Sequence, residues 1–181
     1  MFPTWDSDLF QLINEAHQPW LDQPMVIISG KLTWIPLYVF LIYLLYQKYN
    51  LDVWKTFLYL LSTVIFADQV SSGIFKPLFK RLRPCHVEAF QSWIHLPGGC
   101  GGLYGFCSSH AANAFAVAIG FYLVTKNKPI SLLLLIWATL IAYSRVYLGA
   151  HYPLDVFMGA IVGSLGAFIL FQTYVKLTKK L

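Results

Sequence analysis

Five apolar stretches, roughly residues 25–47, 53–74, 111–125, 130–144 and 154–174, constrain this chain more than anything else in it. A helix crossing a bilayer needs about 20 apolar residues. Charged residues make up only 12% of the chain and hydrophobic ones 57%, whereas a soluble domain is about 25% charged. That balance excludes a disordered chain, a collagen-like chain and a small disulfide scaffold, and it fits a water-soluble globule poorly. The expected fold class is therefore all-α: one membrane-embedded domain over residues 1–181, a bundle of about five transmembrane helices. The stretches 111–125 and 130–144 are short. They reach full length only if 107–111 and 145–147 are helical too, which would set Ser108, His110 and Arg145 at membrane-embedded helix ends.

Residues 1–22 read differently. The start, MFPTWDSDLF, is acidic and lacks the basic region of a signal peptide. Phe2, Trp5, Leu9, Ile13, Ala16 and Trp20 recur at helical spacing, with Asp6, Asp8, Gln11, Glu15 and Gln18 opposite. This pattern predicts an amphipathic helix in the membrane interface, anchored by Trp5 and Trp20. A helix packed on the end of the bundle fits the same pattern.

The net charge of +5 would suggest a nucleic-acid partner in a soluble protein. Here Lys48, Lys55, Lys126, Lys128, Lys176, Lys179 and Lys180 lie in the gaps between apolar stretches or after the last one. Five spans bring these gaps to one side, which the positive-inside rule makes cytoplasmic. No nucleic-acid partner is expected and no obligate protein partner is evident. The chain reads as an integral protein of a bacterial inner membrane. Its N-terminus, the long segment 75–108 and the turn 145–153 then face the periplasm or exterior. Lys76, Lys80, Arg81, Arg83 and Arg145 lie on that outer side against the charge rule, which calls for a chemical reason.

Three clusters there carry the chemistry. In KPLFKRLRP, Lys76 and Arg83 are seven residues apart, so a helix would place both on one face with Lys80, and Arg81 off it. In CSSH, Ser108 suits a helix N-cap, and the amides beyond it suit an anion. In SRVYLGAHYPLD, Asp155 follows His151 by four residues and Pro153 suits a first helical turn. Asp155 is thus placed to hold one imidazole nitrogen and leave the other nucleophilic.

Together these clusters resemble the type 2 phosphatidic acid phosphatase family, membrane lipid phosphatases related to vanadium haloperoxidases. That family's signature is K-x6-R-P, then P-S-G-H, then S-R-x5-H-x3-D. Lys76, Arg83 and Pro84 match the first; Ser144, Arg145, His151 and Asp155 match the third with both spacings kept. Ser108 and His110 match the second, where Cys107 stands for Pro and Ser109 for Gly. The motifs bracket residues 76–155, with 75–108 as the outer catalytic loop.

The resemblance implies a lipid phosphate or pyrophosphate as substrate. Lys76, Arg83, Arg145, Ser108, Ser109 and Ser144 would bind the phosphate. His151 would attack phosphorus, His110 would protonate the leaving oxygen and then activate water, and Asp155 would fix the His151 tautomer. No cofactor and no metal is expected, because the two His lack further ligands and sit among cations. Undecaprenyl pyrophosphate or phosphatidylglycerophosphate/phosphatidate ranks first as substrate, lipid A phosphate next. Phosphate transfer between lipids would use the same residues. A lipid-binding or transport protein without turnover is the alternative from another class.

Several further residues carry expectations. Asp68 is read as interhelical glue and Lys31 as snorkelling outward. His17, His86 and His95 are read as non-catalytic. Tyr147 and Tyr152 are read as lining the lipid cleft or joining the aromatic belt. Cys85, Cys100 and Cys107 all fall on the outer side, where oxidation is permitted. Cys107 occupies a motif position, so a Cys85–Cys100 bridge is expected, with three free thiols as the other possibility. The topology gives a first prediction: a reporter enzyme fused after Leu181 behaves as cytoplasmic, and the opposite result inverts the arrangement.

Overall fold

The computed structural model describes residues 2–178 and is helical through most of them, with no strand beyond one bridge between Leu82 and Tyr104. The helices are α1 (Thr4–Glu15), α2 (Pro19–Ser29), α3 (Ile35–Tyr49), α4 (Val53–Asp68), α5 (Lys76–Phe79), α6 (Ser109–Thr125), α7 (Lys128–Tyr147) and α8 (Pro153–Thr178). A π-helical segment, Gln69–Phe75, joins α4 to α5. Among the described residues three segments are long and apolar enough to cross a membrane: Leu32–Phe79, Lys128–Tyr147 and Pro153–Thr178. The first contains two rods, since Asn50 at positive φ (48°) breaks it and α3 packs back on α4. The apolar α6 has 17 residues, about 26 Å of helix.

The central helix is α6, flanked by α4, α7 and α8. Its contact with α8 is made of small residues, which let transmembrane backbones approach closely. A Cβ on Gly163 would lie 2.0 Å from the Ala112 carbonyl oxygen, and one on Gly159 would lie 2.4 Å from that of Ser108. Larger side chains fill the far half: Leu41, Leu45, Tyr59, Phe121 and Trp137. Val39, Phe40, Leu132, Leu133, Phe157 and Phe168 are exposed on the outside of the rods, where lipid would cover them.

The two ends differ in charge. Lys48 donates to the Val124 carbonyl at 3.4 Å, and the hydroxyls of Thr56 and Tyr174 are 3.0 Å apart. The gaps around Lys48, Lys55 and Lys126 therefore meet at one end, with Lys176 in the last turn of α8. Lys179 and Lys180 lie outside the described residues. The other end carries α1, α2 and the segments 80–108 and 148–152.

The structure corrects three sequence expectations. The stretch 25–47 is not one rod. Residues 25–29 complete α2, Gly30 is extended (φ −68°, ψ 132°), and a new helix starts at Leu32, with Pro36 in the first turn of α3. Second, Cys107 and Ser108 are not helical. The Ser108 side chain accepts from the Ala111 amide at 3.5 Å and so begins α6 at Ser109; residues 145–147 are helical as expected. Third, the N-terminal helix is two helices, and the inward face of α1 is Asp6, Phe10 and Asn14. It turns that polar face inward because the bundle end offers polar partners: Asn14 donates to the carbonyls of Tyr147 (2.8 Å) and His95 (2.9 Å). Trp5 and Trp20 point outward, 53% and 73% exposed. The helix thus packs on the bundle end and also presents apolar side chains to the surroundings.

The α6–α8 contact generates a prediction. Gly163→Val forces the backbones apart, a cost of at least about 1–3 kcal/mol from overpacking. It is expected to lower the melting temperature in detergent by several degrees and to abolish turnover. Gly102→Ala, which meets nothing within 4 Å, leaves both unchanged. Equal melting temperatures for the two variants would contradict this packing.

Candidate active site

The three motifs meet at the end opposite Lys48, Lys55 and Lys126 through distinct local devices. Helix α5 stops at Lys80, which is left-handed (φ 45°). Lys76 therefore opens the last turn of the long α4–α5 rod, while Arg83 lies on extended backbone beyond it. The two reach one site by a turn in the chain and not by sharing a helical face. Lys80 is exposed and Arg81 is buried, the reverse of the helical expectation. Lys76 Nζ lies 3.4 Å from Ser109 Oγ and 3.2 Å from Ser72 Oγ, which joins the first motif to the second. The Ser108 amide donates to the Asp155 carbonyl at 2.9 Å, which joins the second to the third.

The turn between α7 and α8 sets His151. Gly149 is left-handed (φ 70°), and a Cβ there would lie 2.4 Å from Leu96. This turn folds Ala150 and His151 back so that both amides donate to the Arg145 carbonyl, at 3.1 and 3.2 Å. His151 is fully buried. Its Nε2 is 3.1 Å from Arg83 Nη1, and its Nδ1 is 3.5 Å from Asp155 Oδ2. The second distance is long for a hydrogen bond. Gly105 closes the site from above: a Cβ there would lie 2.9 Å from Asp155 Oδ2 and 3.6 Å from His151 Nδ1. Burial, then the charges of Arg83, Arg145 and Lys76, hold the His151 pKa well below the usual imidazole value. The ring is thereby kept neutral, with a lone pair to donate. Burial also lowers the Arg83 pKa.

Among the described residues no carboxylate lies within ion-pair distance of Lys76, Arg83 or Arg145. The Nε atoms of Arg83 and Arg145 are buried without a partner. Arg145 Nη1 contacts Ser29 Oγ at the end of α2. Such a set of cations suits a tetrahedral oxyanion with several oxygens. Beside it runs a largely apolar groove of about 380 Å³ between α3, α4 and α6, whose lining includes Lys31, Trp34, Asp68, Ser109, His110 and Asn113. His110 thus stands where the cationic end meets the groove.

Other expectations fare differently. Ser144 is fully buried and its hydroxyl donates to the Ile141 carbonyl at 2.7 Å, one turn back in α7, so helix geometry draws it away from the cations. Tyr147 is buried, with its hydroxyl donating to Asp22 at 2.6 Å, and Tyr152 stacks on Arg81; neither lines the groove. Asp68 accepts from Asn113 Nδ2 at 3.4 Å across α4 and α6, as interhelical glue would. Lys31 is exposed at the groove mouth. His17 and His95 stack on each other at 3.6 Å beside Asp22, and His86 sits against Cys100. The close group Cys85, His86 and Cys100 is poor as a metal site, because its two sulfurs are joined in a disulfide. Burial pushes the free Cys107 thiol up to about 11, which leaves it unreactive. Sequence reasoning missed Arg81, Asp6 and Gly105. Their partners come from distant segments, and only Arg81, a cation outside the lysine-bearing gaps between the apolar stretches, gave a signal.

The chain is similar to known proteins in sequence and in fold. The sequence profile described as the PAP2 superfamily matches residues 52–179. The chain is 34% identical to the lipid A 4'-phosphatase of Bacteroides thetaiotaomicron, over 97% of this chain and 80% of that protein. It is 31% identical to the undecaprenyl-diphosphatase of Sulfolobus acidocaldarius, over 93% of this chain and 78% of that protein. The crystal structure of Aquifex aeolicus LpxE superimposes with a TM-score of 0.69 at 26% identity, covering 91% of this chain and 93% of that one.

The Cys85–Cys100 bridge also generates a prediction. It joins Cα atoms 5.8 Å apart across 15 residues, and Gly101 beside it packs on the Arg83 guanidinium, where a Cβ would lie 3.2 Å from Cζ. Closing such a loop stabilises the fold by about 3 kcal/mol in the chain-entropy model. Reduction is expected to lower turnover severalfold while helicity by circular dichroism is kept. Three titratable thiols in the unreduced, denatured protein would contradict the bridge.

Proposed function

The chain belongs to the PAP2 superfamily and is a lipid phosphate phosphatase; from that premise we propose that it works without a metal, through a phosphohistidine on His151, on the membrane face away from the cytoplasm. One observation carries this reading: Lys76, Arg83 and Arg145, with no carboxylate at ion-pair distance among the described residues, act together on the buried imidazole of His151, which touches Arg83 on one side and faces Asp155 on the other. Lys76 and the two arginines take the phosphate oxygens, the arginines able to bind two each. Ser108, Ser109 and the first amides of α6 add donors. Nε2 of His151 attacks phosphorus, forming P–N as the P–O bond to the lipid breaks. Arg83, 3.1 Å from that nitrogen, supports the equatorial oxygens as charge develops. His110 takes up a proton as the anionic phosphate offsets the cations, and gives that proton to the leaving oxygen. It then takes one from water, whose oxygen displaces the imidazole and frees phosphate.

The lipid lies along the groove between α3, α4 and α6, with its phosphate at the cationic end. Undecaprenyl diphosphate or a glycerophospholipid phosphate such as phosphatidylglycerophosphate or phosphatidate comes first as substrate. A second reading, lipid A phosphate, is favoured by similarity to a lipid A 4'-phosphatase along nearly the whole chain. Phosphate release from a panel of these lipids in detergent separates the two.

His151→Ala is expected to lose several orders of magnitude in turnover, because the residue carries the covalent intermediate. Asp155→Asn loses less, since the nucleophile remains. Activity survives EDTA, and vanadate inhibits by adopting the five-coordinate geometry of attacked phosphorus. Near-normal release by His151→Ala, or loss in EDTA restored by one divalent ion, would overturn the mechanism.

A further inference from the structure

Arg81 takes no part in the phosphate clamp, yet it is the most enclosed Lys or Arg side chain in an ion pair among the described residues. Its side chain is 7% exposed. Nη2 pairs with Asp6 Oδ2 at 2.6 Å, and Nη1 donates to Asp155 Oδ1 at 2.8 Å. The guanidinium lies between two rings, with Cζ 4.1 Å from the centroid of Phe2 and 3.7 Å from that of Tyr152. A planar, permanently charged fork between aromatic faces has little freedom to turn.

The partners of Asp155 give this placement its meaning. With Oδ1 held by Arg81, Oδ2 faces His151 Nδ1 at 3.5 Å and accepts from the Tyr152 amide at 3.1 Å. Arg83 stands on the other side of the same imidazole. If the carboxylate turned to Arg83, it would neutralise a cation of the clamp and release Nδ1 together. Arg81 opposes that rotation by offering the carboxylate a closer cation. Arg81 is in turn set by Asp6 of α1, whose other oxygen accepts from the Leu154 amide at 2.8 Å, one residue before Asp155. The N-terminal helix thus grips both the guanidinium and the first turn of α8.

We propose that Arg81, fixed by Asp6 and by the rings of Phe2 and Tyr152, is a positioning residue that holds Asp155 on His151 Nδ1 and away from the phosphate clamp. Helix α1 thereby belongs to the catalytic apparatus. This rests on the reading of His151 as nucleophile.

The test is the single-turnover rate constant, measured with saturating enzyme in excess over a detergent-solubilised lipid phosphate. That constant does not depend on the fraction of enzyme that is folded. Asp6→Asn and Arg81→Gln are expected to lower it by about 10- to 100-fold, the range of a hydrogen bond to a charged group. Arg81→Lys recovers part of the loss, because one ammonium still reaches one carboxylate. In an Asp155→Asn background, Asp6→Asn adds less than about a twofold loss, since sites acting through one group are not additive. An unchanged rate constant with only the yield of active enzyme reduced would overturn the proposal, as would losses that multiply in the double variant. If Arg81→Gln does not fold, Asp6→Asn and Arg81→Lys decide by the same criteria. Turnover retained by His151→Ala would sink the nucleophile reading itself; an inert His151→Ala beside an unaffected Asp6→Asn would sink this proposal alone.

Discussion

Where α6 crosses α8, no side chain separates the two backbones. The carbonyls of Ser108 and Ala112 occupy space that a Cβ on Gly159 or Gly163 would need. Lipid supplies no hydrophobic force between helices, so close van der Waals contact is what holds such a pair. The consequence reaches the chemistry. At the Gly159 end of this contact, the cap of α6 and the first turn of α8 share a hydrogen bond, Ser108 amide to Asp155 carbonyl. The capped start of one helix, proposed to bind the anion, is thereby registered against the His151–Asp155 pair that precedes and opens the other.

The second constraint is charge. Cations near a bilayer are costly and persist where function requires them. Here they fall into two groups. Arg81 is matched by two carboxylates, Asp6 and Asp155. Lys76, Arg83 and Arg145 have none within ion-pair distance among the described residues. In the proposed mechanism the matched guanidinium builds the scaffold, and the unmatched set is left for an oxyanion. The buried imidazole between them is kept neutral by burial and by the same cations, so one arrangement would serve both phosphate binding and the nucleophile.

Much of this was legible in the sequence, for physical reasons that can be named. Spans show as apolar stretches because lipid tolerates little else, and the spacing from His151 to Asp155 survives because both lie in one local turn. The Cys85–Cys100 bridge was legible from where its cysteines fall. The break at Gly30 was not, because an apolar run does not show where its backbone leaves the helix. The path from Lys76 to Arg83 was misjudged as one helical face, since the left-handed turn at Lys80 carries no glycine to announce it. The inward face of α1 was misjudged because burial was equated with apolarity, while Asp6 and Asn14 find their partners in segments far away in sequence. Ser144 matched a motif letter, but its hydroxyl bonds within its own helix.

The central claim is that phosphorus passes through His151. The most direct measurement is to quench the protein within its first turnovers on a lipid carrying radiolabelled phosphate and to map the label. The account predicts an acid-labile, alkali-stable phosphate on the peptide containing His151, absent from His151→Ala. Label on Ser108, Ser109 or His110, or no label during active turnover, would contradict it.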